Sequence, residues 1–269
     1  MIDATAIDRI VELAKIDTPA TGASVPEYLA LPSTMHVVDL ESYQVCRRRF
    51  RGQYTTTSIR HFADYLAEAD TGGLRVFVDA EQACATCVID AGDVAEPGHC
   101  AHRAKLTLRP TAVWRAVMAL DNQVFTQRSL AEWLEDWRNY LDAVTAEEES
   151  IPLARAIAAI RKIDITATAK SGSEVGNMSE TRSALARIEA SSVEGLPARI
   201  VATFHPYPEL QKRTVALDLH VISGETPKLK LRMLMREEVD EMIADEFAAV
   251  LEGALPDGAK AMVGTFTPG

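Results

Sequence analysis

The chain has 269 residues, a formal net charge of −11 and four cysteines. This length is enough to bury one large core or two small ones, and the charge disfavours non-specific attraction to nucleic acid or anionic membranes. No apolar run approaches the roughly 18 residues of a membrane span. The first residues contain no basic region followed by a continuous apolar run, so we expect no secretory signal. Four cysteines are too few to indicate a disulfide framework, and we therefore expect a protein of the reducing cytoplasm. Because no membrane span is present and the net charge is acidic, we expect no membrane partner.

The N-terminal segment predicts a helical arm on a flexible tether. Apolar residues recur at the spacing of one helix face over residues 4–16. The stretch TPATGASV at 18–25 then combines turn-forming and small residues, which is typical of a linker. We therefore assign residues 1–29 to an N-terminal helix and linker, and we expect this arm to dock on a neighbouring subunit.

Residues 30–145 predict a three-stranded antiparallel sheet with helices on one face and Trp-rich helices after it. The expected elements are a strand at 35–40, a helix from Ser58 to about Glu68, strands at 74–78, 84–90 and 100–108, a short helix around Trp114, and a helix from Arg128 to about Val144. All three tryptophans lie within residues 106–137.

Residues 146–269 predict mainly antiparallel strands with a C-terminal helix. The expected elements are a helix from Glu147 to about Arg161, strands at 164–170, 183–190, 198–204, 214–222 and 228–235, a helix from Arg236 to about Leu251 closed by Gly253, and an edge strand at 261–266. Strands occur in blocks and do not alternate with helices, which excludes a doubly wound fold. We therefore predict an α+β fold with antiparallel sheets, flanking amphipathic helices, two α+β portions and an N-terminal helical arm.

Positive charge is concentrated in the segment VCRRRFRG. Its candidate nucleic-acid-binding residues are Arg47, Arg48, Arg49, Phe50 and Arg51. Arginines contact phosphates and an aromatic ring stacks on bases, which is the combination used by single-strand binders, with the sheet of 74–108 as platform. The alternatives are a solvated segment that pairs with the chain's own acidic helices, which the net charge favours, or a segment that forms salt bridges between subunits.

A C-x2-C-x12-C-x-H pattern is formed by Cys84, Cys87, Cys100 and His102, with His99 as an alternative ligand. Zinc takes four such ligands in a tetrahedron, usually with paired cysteines on a tight turn. On a strand, however, positions i and i+3 point to opposite faces, so Cys84 and Cys87 would not reach one metal ion. Buried core cysteines are therefore the favoured interpretation, and a zinc site is the alternative.

Common catalytic motifs are absent from the sequence. It contains no glycine-rich phosphate loop, no H-E-x-x-H and no G-x-S-x-G. Glu132, Glu135 and Asp136 have a spacing that could bind magnesium. The solvent-exposed face of an amphipathic helix, opposite its apolar stripe, explains this spacing fully. His205 and His220 lie at or in predicted strands without triad partners, and we expect structural roles for both.

Four segments together carry a resemblance to a known family. They are DLESY at 39–43, HFADYL at 61–66, His102-Arg103-Ala104, and LAEWLED at 130–136. This ordered set resembles the YfdQ-like family of uncharacterised phage and prophage proteins over about residues 35–265. The resemblance implies a phage or prophage origin, the cytoplasm of a bacterial host and no known reaction. The family pattern has a histidine that matches His102 but no cysteine cluster, which implies a packing or hydrogen-bonding role for His102.

The sequence thus supports three hypotheses of function. The first is a phage protein that acts without catalysis as a self-assembling homo-oligomer, through the arm and the long hairpin at 214–235. The second is a protein that binds single-stranded nucleic acid in phage recombination. The third is a zinc-containing protein around Cys84, Cys87 and Cys100.

Overall fold

The computed structural model describes residues 5, 8, 41–69, 73–93, 95–121, 123–163, 196–222 and 228–267. The chain divides into two compact units, residues 1–49 and 50–269. In the first unit a short 3-10 turn spans Glu41–Tyr43. The predicted linker, the strands at 35–40, 164–170 and 183–190, and nearly all of the predicted first helix lie outside the described residues.

The second unit contains two sheets and five α-helices in its described part. In chain order the elements are β1 Gly52–Thr56, α1 Ile59–Glu68, β2 Arg75–Asp79, β3 Cys84–Val88, β4 His102–Thr107, α2 Ala112–Leu120, β5 Val124–Phe125, α3 Gln127–Asp136, a 3-10 turn at Arg138–Tyr140, β6 Leu141–Val144, β7 Ser150–Ile151, α4 Leu153–Arg161, β8 Arg199–Phe204, β9 Arg213–Ile222, β10 Lys228–Met233, α5 Arg236–Ala254 and β11 Lys260–Val263. The predicted α+β class is confirmed.

The first sheet has the strand order β1-β4-β3-β2-β11. The antiparallel meander β2-β3-β4 is the predicted one. Both edges of the sheet are parallel strands: β1, which the sequence did not predict, and β11, which corresponds to the edge strand predicted at 261–266. The strands alternate, so one face buries small and branched side chains such as Val76, Ala85 and Leu106. The helix α1 covers this buried face with Phe62 and Leu66, which are fully buried.

The second sheet is antiparallel throughout, in the order β5-β10-β9-β8-β6-β7. The predicted long hairpin is confirmed as β9 and β10, which pair from Ile222 and Lys228 to Leu217 and Met233. The buried face of this sheet meets the rest of the unit through contacts such as the stacked rings of Trp114 and Phe204, whose centroids are 5.5 Å apart.

Buried residues of both sheets and all five α-helices form a single hydrophobic cluster. The sheets also exchange elements along the chain. The strands β5 and β6 precede residue 146 and belong to the second sheet, whereas β11 follows residue 146 and belongs to the first. The division of the chain predicted near residue 146 therefore lies between elements that share one core.

The predicted helix from Arg128 to Val144 is wrong in its second half. The helix α3 ends at Asp136, and β6 pairs with β8 over the last four predicted positions. The local helical preference is outweighed by long-range contacts. The side chains of Leu141 and Ala143 are buried in the core, and the backbone of this segment forms hydrogen bonds with β8 in the sheet.

The next predicted helix begins later than its acidic start signal suggested. Residues 147–149 form the turn between β6 and β7, where Glu148 has a φ of 64°, and α4 begins only after Pro152. Proline fixes its own φ and disfavours helix in the residue before it, so the helix starts at this point. At the other end of the chain, Gly253 lies inside α5 and does not close it.

Candidate nucleic-acid interface

Strand alternation gives the first sheet a second face that points away from the hydrophobic cluster; we call it the open face. It carries Gln53, Thr55, Arg75, Phe77, Asp79, Cys84, Thr86, Val88, Arg103, Lys105, Thr107, Lys260 and Met262. All of these side chains except Val88 are half-buried or exposed.

Four cations lie on the open face. Arg103, Arg75 and Lys260 share one register row across the sheet, because Val88 pairs with both arginines and Arg75 pairs with Lys260. Neighbouring strands are about 4.8 Å apart, so this row places a cation at each of three strands across roughly 15 Å. The fourth cation, Lys105, lies in the next row opposite Thr86.

Two carboxylates lie close to these cations. Asp79 pairs with Cys84 in the ladder. Burial and, after it, the charge of Asp79 raise the pKa of the Cys84 thiol, while Lys105 lowers it. The backbone N–H groups of Glu96 and Ala95 lower the pKa of Asp93, and Arg75 lowers it further. Counted over the described residues, four cations against two carboxylates make the open face positive in an acidic chain.

Two aromatic rings stack at the β11 side of the open face. Phe77 projects from β2, and Phe266 folds back from beyond β11, so that the ring centroids are 4.8 Å apart with an interplanar angle of 19°. Phe77 is half-buried and Phe266 is exposed. Partly exposed stacked rings are surfaces on which a nucleobase can stack without regard to its identity.

A second aromatic cluster lies on the opposite face of the same sheet, at the β1–β4 edge beside α1. The ring of His102 is 4.3 Å from that of Phe50, and its Nε2 atom is 2.8 Å from the Tyr65 hydroxyl oxygen. Tyr54 stacks on Tyr65 with centroids 4.4 Å apart. Burial lowers the pKa of His102, against the opposing effect of Asp90, and burial raises the pKa of Tyr65, so both are neutral at neutral pH.

The loop between β3 and β4 positions the start of β4. The Asp90 carboxylate accepts the backbone N–H groups of Ala101 at 3.0 Å and His102 at 2.8 Å. Gly98 packs against this loop so closely that a Cβ atom there would lie 1.8 Å from the Asp90 carbonyl oxygen. The Arg103 Nε–H donates to the Cys100 carbonyl at 2.6 Å, which ties the open-face arginine to the same loop.

The structure separates the nucleic-acid-binding residues predicted from the sequence. Arg47, Arg48 and Arg49 are exposed in the first unit, whereas Phe50 and Arg51 are exposed in the second. Phe50 contacts His102 and so belongs to the α1 side of the sheet, away from the open face. Their role in binding stays a prediction.

Sequence reasoning found the open-face strand residues only in part. The alternation of Arg103, Lys105 and Thr107 against buried residues was visible in the sequence. The stack of Phe77 on Phe266 had no such signal, because it depends on the parallel pairing of β11 with β2.

Cys84 and Cys87 lie on opposite faces of the sheet, as the strand argument predicted, but of the three clustered cysteines only Cys87 is buried; Cys84 and Cys100 are half-buried, so the prediction of buried core cysteines is wrong for these two. Cys84 is on the open face, and Cys87 is fully buried on the opposite face, where burial raises the pKa of its thiol to about 12. Cys100 lies in the loop before His102 and has a φ of 52°. Across the described residues, no three His, Cys, Asp or Glu side chains lie close enough to hold a metal ion.

Three of the remaining candidates from the sequence, Glu132, Glu135 and His205, have local partners. Glu132 pairs with Arg128, and Glu135 pairs with Arg161, each at 2.8 Å on exposed helix surfaces. The His205 Nδ1 atom lies 2.7 Å from the Leu210 carbonyl oxygen, which can only accept, so this ring nitrogen donates. In the part of the chain that the structure describes, no helix has the length and apolar character to cross a membrane.

Comparison with known proteins identifies a family but no relative of known function. The model of a family described as an uncharacterised conserved protein (DUF2303) matches residues 3–266. No curated protein and no solved structure matches the chain. The chain therefore belongs to this family of uncharacterised conserved proteins.

Proposed function

We propose that this member of the DUF2303 family binds single-stranded nucleic acid on the open face of its first sheet, without catalysing a reaction. One observation carries the proposal: a row of cations and a partly exposed ring stack occupy the same sheet face of an acidic chain. Single-strand binders combine these two features, because cations track the phosphates while aromatic rings stack on the bases.

The net charge of −11 does not oppose this site, because many exposed carboxylates of the second unit lie on helices and not on the open face. The exposed carboxylates of α1, α3 and α5 are Asp64, Glu68, Glu132, Glu135, Asp136, Glu237, Glu238, Asp240, Glu241, Asp245 and Glu252. The same helices carry only three arginines. Surface charges separated by more than a Debye length, about 8 Å at physiological salt, are largely screened from each other.

The geometry favours single strands over duplexes. Phe77 and Phe266 can stack only on a base whose face is uncovered, and such faces are buried inside a duplex. A sheet row of cations that spans about 15 Å also matches an extended backbone. We therefore expect little sequence preference and a strong dependence of affinity on salt.

The charge part of the proposal is tested by fluorescence anisotropy with a labelled oligothymidine of about 20 nucleotides, titrated between about 50 and 200 mM salt. The variant R103Q/K105Q removes two phosphate contacts, so the slope of log K against log salt should fall by about 1.4. The control is R128Q, which removes an arginine of α3; Arg128, like Lys105, is exposed. Equal slopes for all three proteins would refute the site.

The stacking part is tested in the same assay with Phe77. Base stacking contributes about 1 to 3 kcal/mol per base, so Phe77→Ala should weaken binding by about 5-fold to 150-fold. The matched variant Phe77→Leu keeps an apolar side chain on the sheet and should weaken binding similarly, because it also lacks a ring. If Leu preserved the affinity, Phe77 would act only by packing.

A second candidate function is self-assembly, favoured by the exposed edge strand β11. Val263 is 91% exposed. The backbone N–H groups of Lys260 and Gly264 donate to the carbonyls of Leu74 and Val78, so by alternation the N–H groups of Ala261 and Val263 point outward. Such an edge can pair with a second copy. A phage or prophage origin and a role in the host cytoplasm belong to this proposal through the family resemblance.

Light scattering coupled to size-exclusion chromatography tests self-assembly. An oligomer that Val263→Asp converts to monomers would support pairing through β11, because a charge on an edge strand blocks such pairing. A monomer at micromolar concentration would refute it, without affecting the nucleic-acid proposal.

A further inference from the structure

We infer that Asp90 is a positioning residue of the open face: through the Cys100–Ala101 peptide unit, it holds the Arg103 guanidinium ready to receive a phosphate of a bound single strand. This role rests on the proposed nucleic-acid function and belongs to the same site. Four hydrogen bonds that link Asp90, the start of β4 and Arg103 carry it.

Asp90 accepts three consecutive backbone N–H groups. Its carbonyl oxygen accepts that of Cys100 at 3.3 Å, its Oδ2 atom that of Ala101 at 3.0 Å, and its Oδ1 atom that of His102 at 2.8 Å. Cys100 has a φ of 52°, in the left-handed region that residues other than glycine rarely adopt. Such a conformation persists only where its surroundings impose it, and the bonds to Asp90 do so.

The Cys100–Ala101 peptide unit connects the Asp90 carboxylate to Arg103. Its N–H, which belongs to Ala101, donates to Asp90, and its carbonyl, which belongs to Cys100, accepts the Arg103 Nε–H at 2.6 Å. No described peptide bond is cis, so the two groups of this unit point in opposite directions, one to each partner. A carboxylate on the N–H also polarises the carbonyl, which strengthens the bond to Arg103.

The bond at Nε leaves the outer end of the Arg103 guanidinium available. No second hydrogen bond and no salt bridge joins Arg103 to another described residue, so both Nη groups can donate to one phosphate as a fork. A side chain that is already held in place loses less rotamer freedom on binding. This difference corresponds to about twofold to tenfold in affinity for one side chain.

Simple electrostatics predicts the opposite effect of Asp90. A carboxylate near the open face repels phosphates, so its neutralisation should strengthen binding. Positioning predicts that neutralisation weakens binding, because the Ala101 N–H loses its charged acceptor and the peptide unit that holds Arg103 is released. The sign of the change in affinity therefore separates the two effects.

A double-mutant cycle with the labelled oligothymidine tests the role of Asp90. Asp90→Asn should weaken binding about twofold to tenfold. It should not lower the slope of log K against log salt, because Arg103 keeps its charge, whereas Arg103→Gln should lower that slope by about 0.7. Added to Arg103→Gln, Asp90→Asn should have no further effect on affinity, because the residue through which Asp90 acts is gone.

The matched control is Asp93→Asn. Asp93 is a carboxylate of the same loop that accepts the backbone N–H groups of Ala95 and Glu96 and makes no bond to the Cys100–Ala101 peptide unit. This variant should bind oligothymidine no more weakly than the natural protein. If Asp90→Asn bound as tightly as Asp93→Asn, or lost as much affinity without Arg103 as with it, the role of Asp90 would be overturned.

Nuclear magnetic resonance of isotope-labelled protein without nucleic acid separates this role from the open-face site. The Arg103 Nε–H signal, identified by its loss in Arg103→Gln, should exchange slowly with water and should exchange faster in Asp90→Asn than in Asp93→Asn. Unchanged exchange in Asp90→Asn overturns the positioning role even if oligothymidine binds the open face. Faster exchange combined with natural affinity and slope in Arg103→Gln instead refutes the open-face site, and the phosphate role of Asp90 falls with it. The same spectra show whether each variant is folded.

Discussion

Asp121 joins the end of α2 to the junction between β10 and α5. Its side chain is only 7% exposed; Oδ1 accepts the backbone N–H of Met233 at 3.2 Å, and Oδ2 accepts Arg236 Nη1 at 2.9 Å. We predict that replacing Asp121 destabilises the second unit more than any exposed carboxylate does. The reason is that Met233 is itself buried, so its N–H has no access to water when the partner is lost.

The magnitude follows from the bonds that each variant loses. Asp121→Asn keeps an acceptor for Met233 and loses the charged bond to Arg236, which costs about 1.5 kcal/mol because Arg236 is partly exposed. Asp121→Ala loses both bonds and strands a buried donor, which costs about 3 kcal/mol. At about 2 to 4 °C per kcal/mol, the midpoint falls by about 3 to 6 °C and 6 to 12 °C.

The effect of Asp121 also depends on pH. Burial alone would raise the pKa of Asp121, but the Met233 N–H and the Arg236 guanidinium outweigh it and hold the pKa below its ordinary value. A carboxylate with a depressed pKa stabilises the fold above about pH 3.9, and this stability is lost as pH falls through the folded pKa. The difference between the natural protein and Asp121→Asn should therefore persist at pH 5 and 7 and shrink below about pH 4.

Thermal and urea unfolding, followed by tryptophan fluorescence, measure these differences. The control is Asp257→Asn, which changes an exposed carboxylate in a turn and should shift stability by less than about 0.5 kcal/mol. If Asp121→Ala behaved like this control, or if the Asn variant kept its deficit at low pH, the bonds from Asp121 to Met233 and Arg236 would not stabilise the protein in solution.

Three further predictions concern the loop, the thiols and metal content. Gly98→Ala should lower the free energy of unfolding by about 1 to 3 kcal/mol, because the added Cβ would clash with the Asp90 carbonyl. Gly253→Ala lies in α5 with open space around it and should raise this free energy by up to about 1 kcal/mol. Urea unfolding of both variants measures the two changes. A thiol reagent at pH 8 should label the exposed Cys46 quickly. It should label Cys87 only on unfolding, because Cys87 is buried and burial raises the pKa of its thiol to about 12. Mass spectrometry after digestion measures the order in which the two cysteines are labelled. Atomic emission should find less than about 0.2 zinc per chain in purified protein, and a full equivalent would establish the zinc hypothesis.

Local signals in the sequence were reliable where the structure is local. Ser58 caps α1 through the N–H of His61, as its position before an amphipathic run predicted. The hairpin β9–β10 and the helix α5 also lie where alternation and helical periodicity placed them. In each case the propensity and the buried face agree, so no tertiary contact had to override them.

Pairing between strands that are far apart in the chain could not be predicted from the sequence. The pattern of β6 reads as the continuation of an amphipathic helix, and only its pairing with β8 makes it a strand. The stack of Phe77 on Phe266 likewise depends on β11, which reaches β2 from the far end of the unit. The arginine segment at 47–51 was prominent by composition, but composition carries no information about which unit a residue joins.

The parallel pairing of β11 with β2 also means that β2 is synthesised long before its edge-strand partner. Arg75 and its partner Lys260 are 185 residues apart in the chain, so a ribosome adding about 5 to 20 residues per second needs about 10 to 40 seconds to make the second after the first. Throughout that interval the outer edge of β2 lacks its native neighbour, and the nascent chain presents an unpaired strand edge. Synthesis of this protein is thus a period of exposure to chaperones and to aggregation, which ends only when its last described strand emerges.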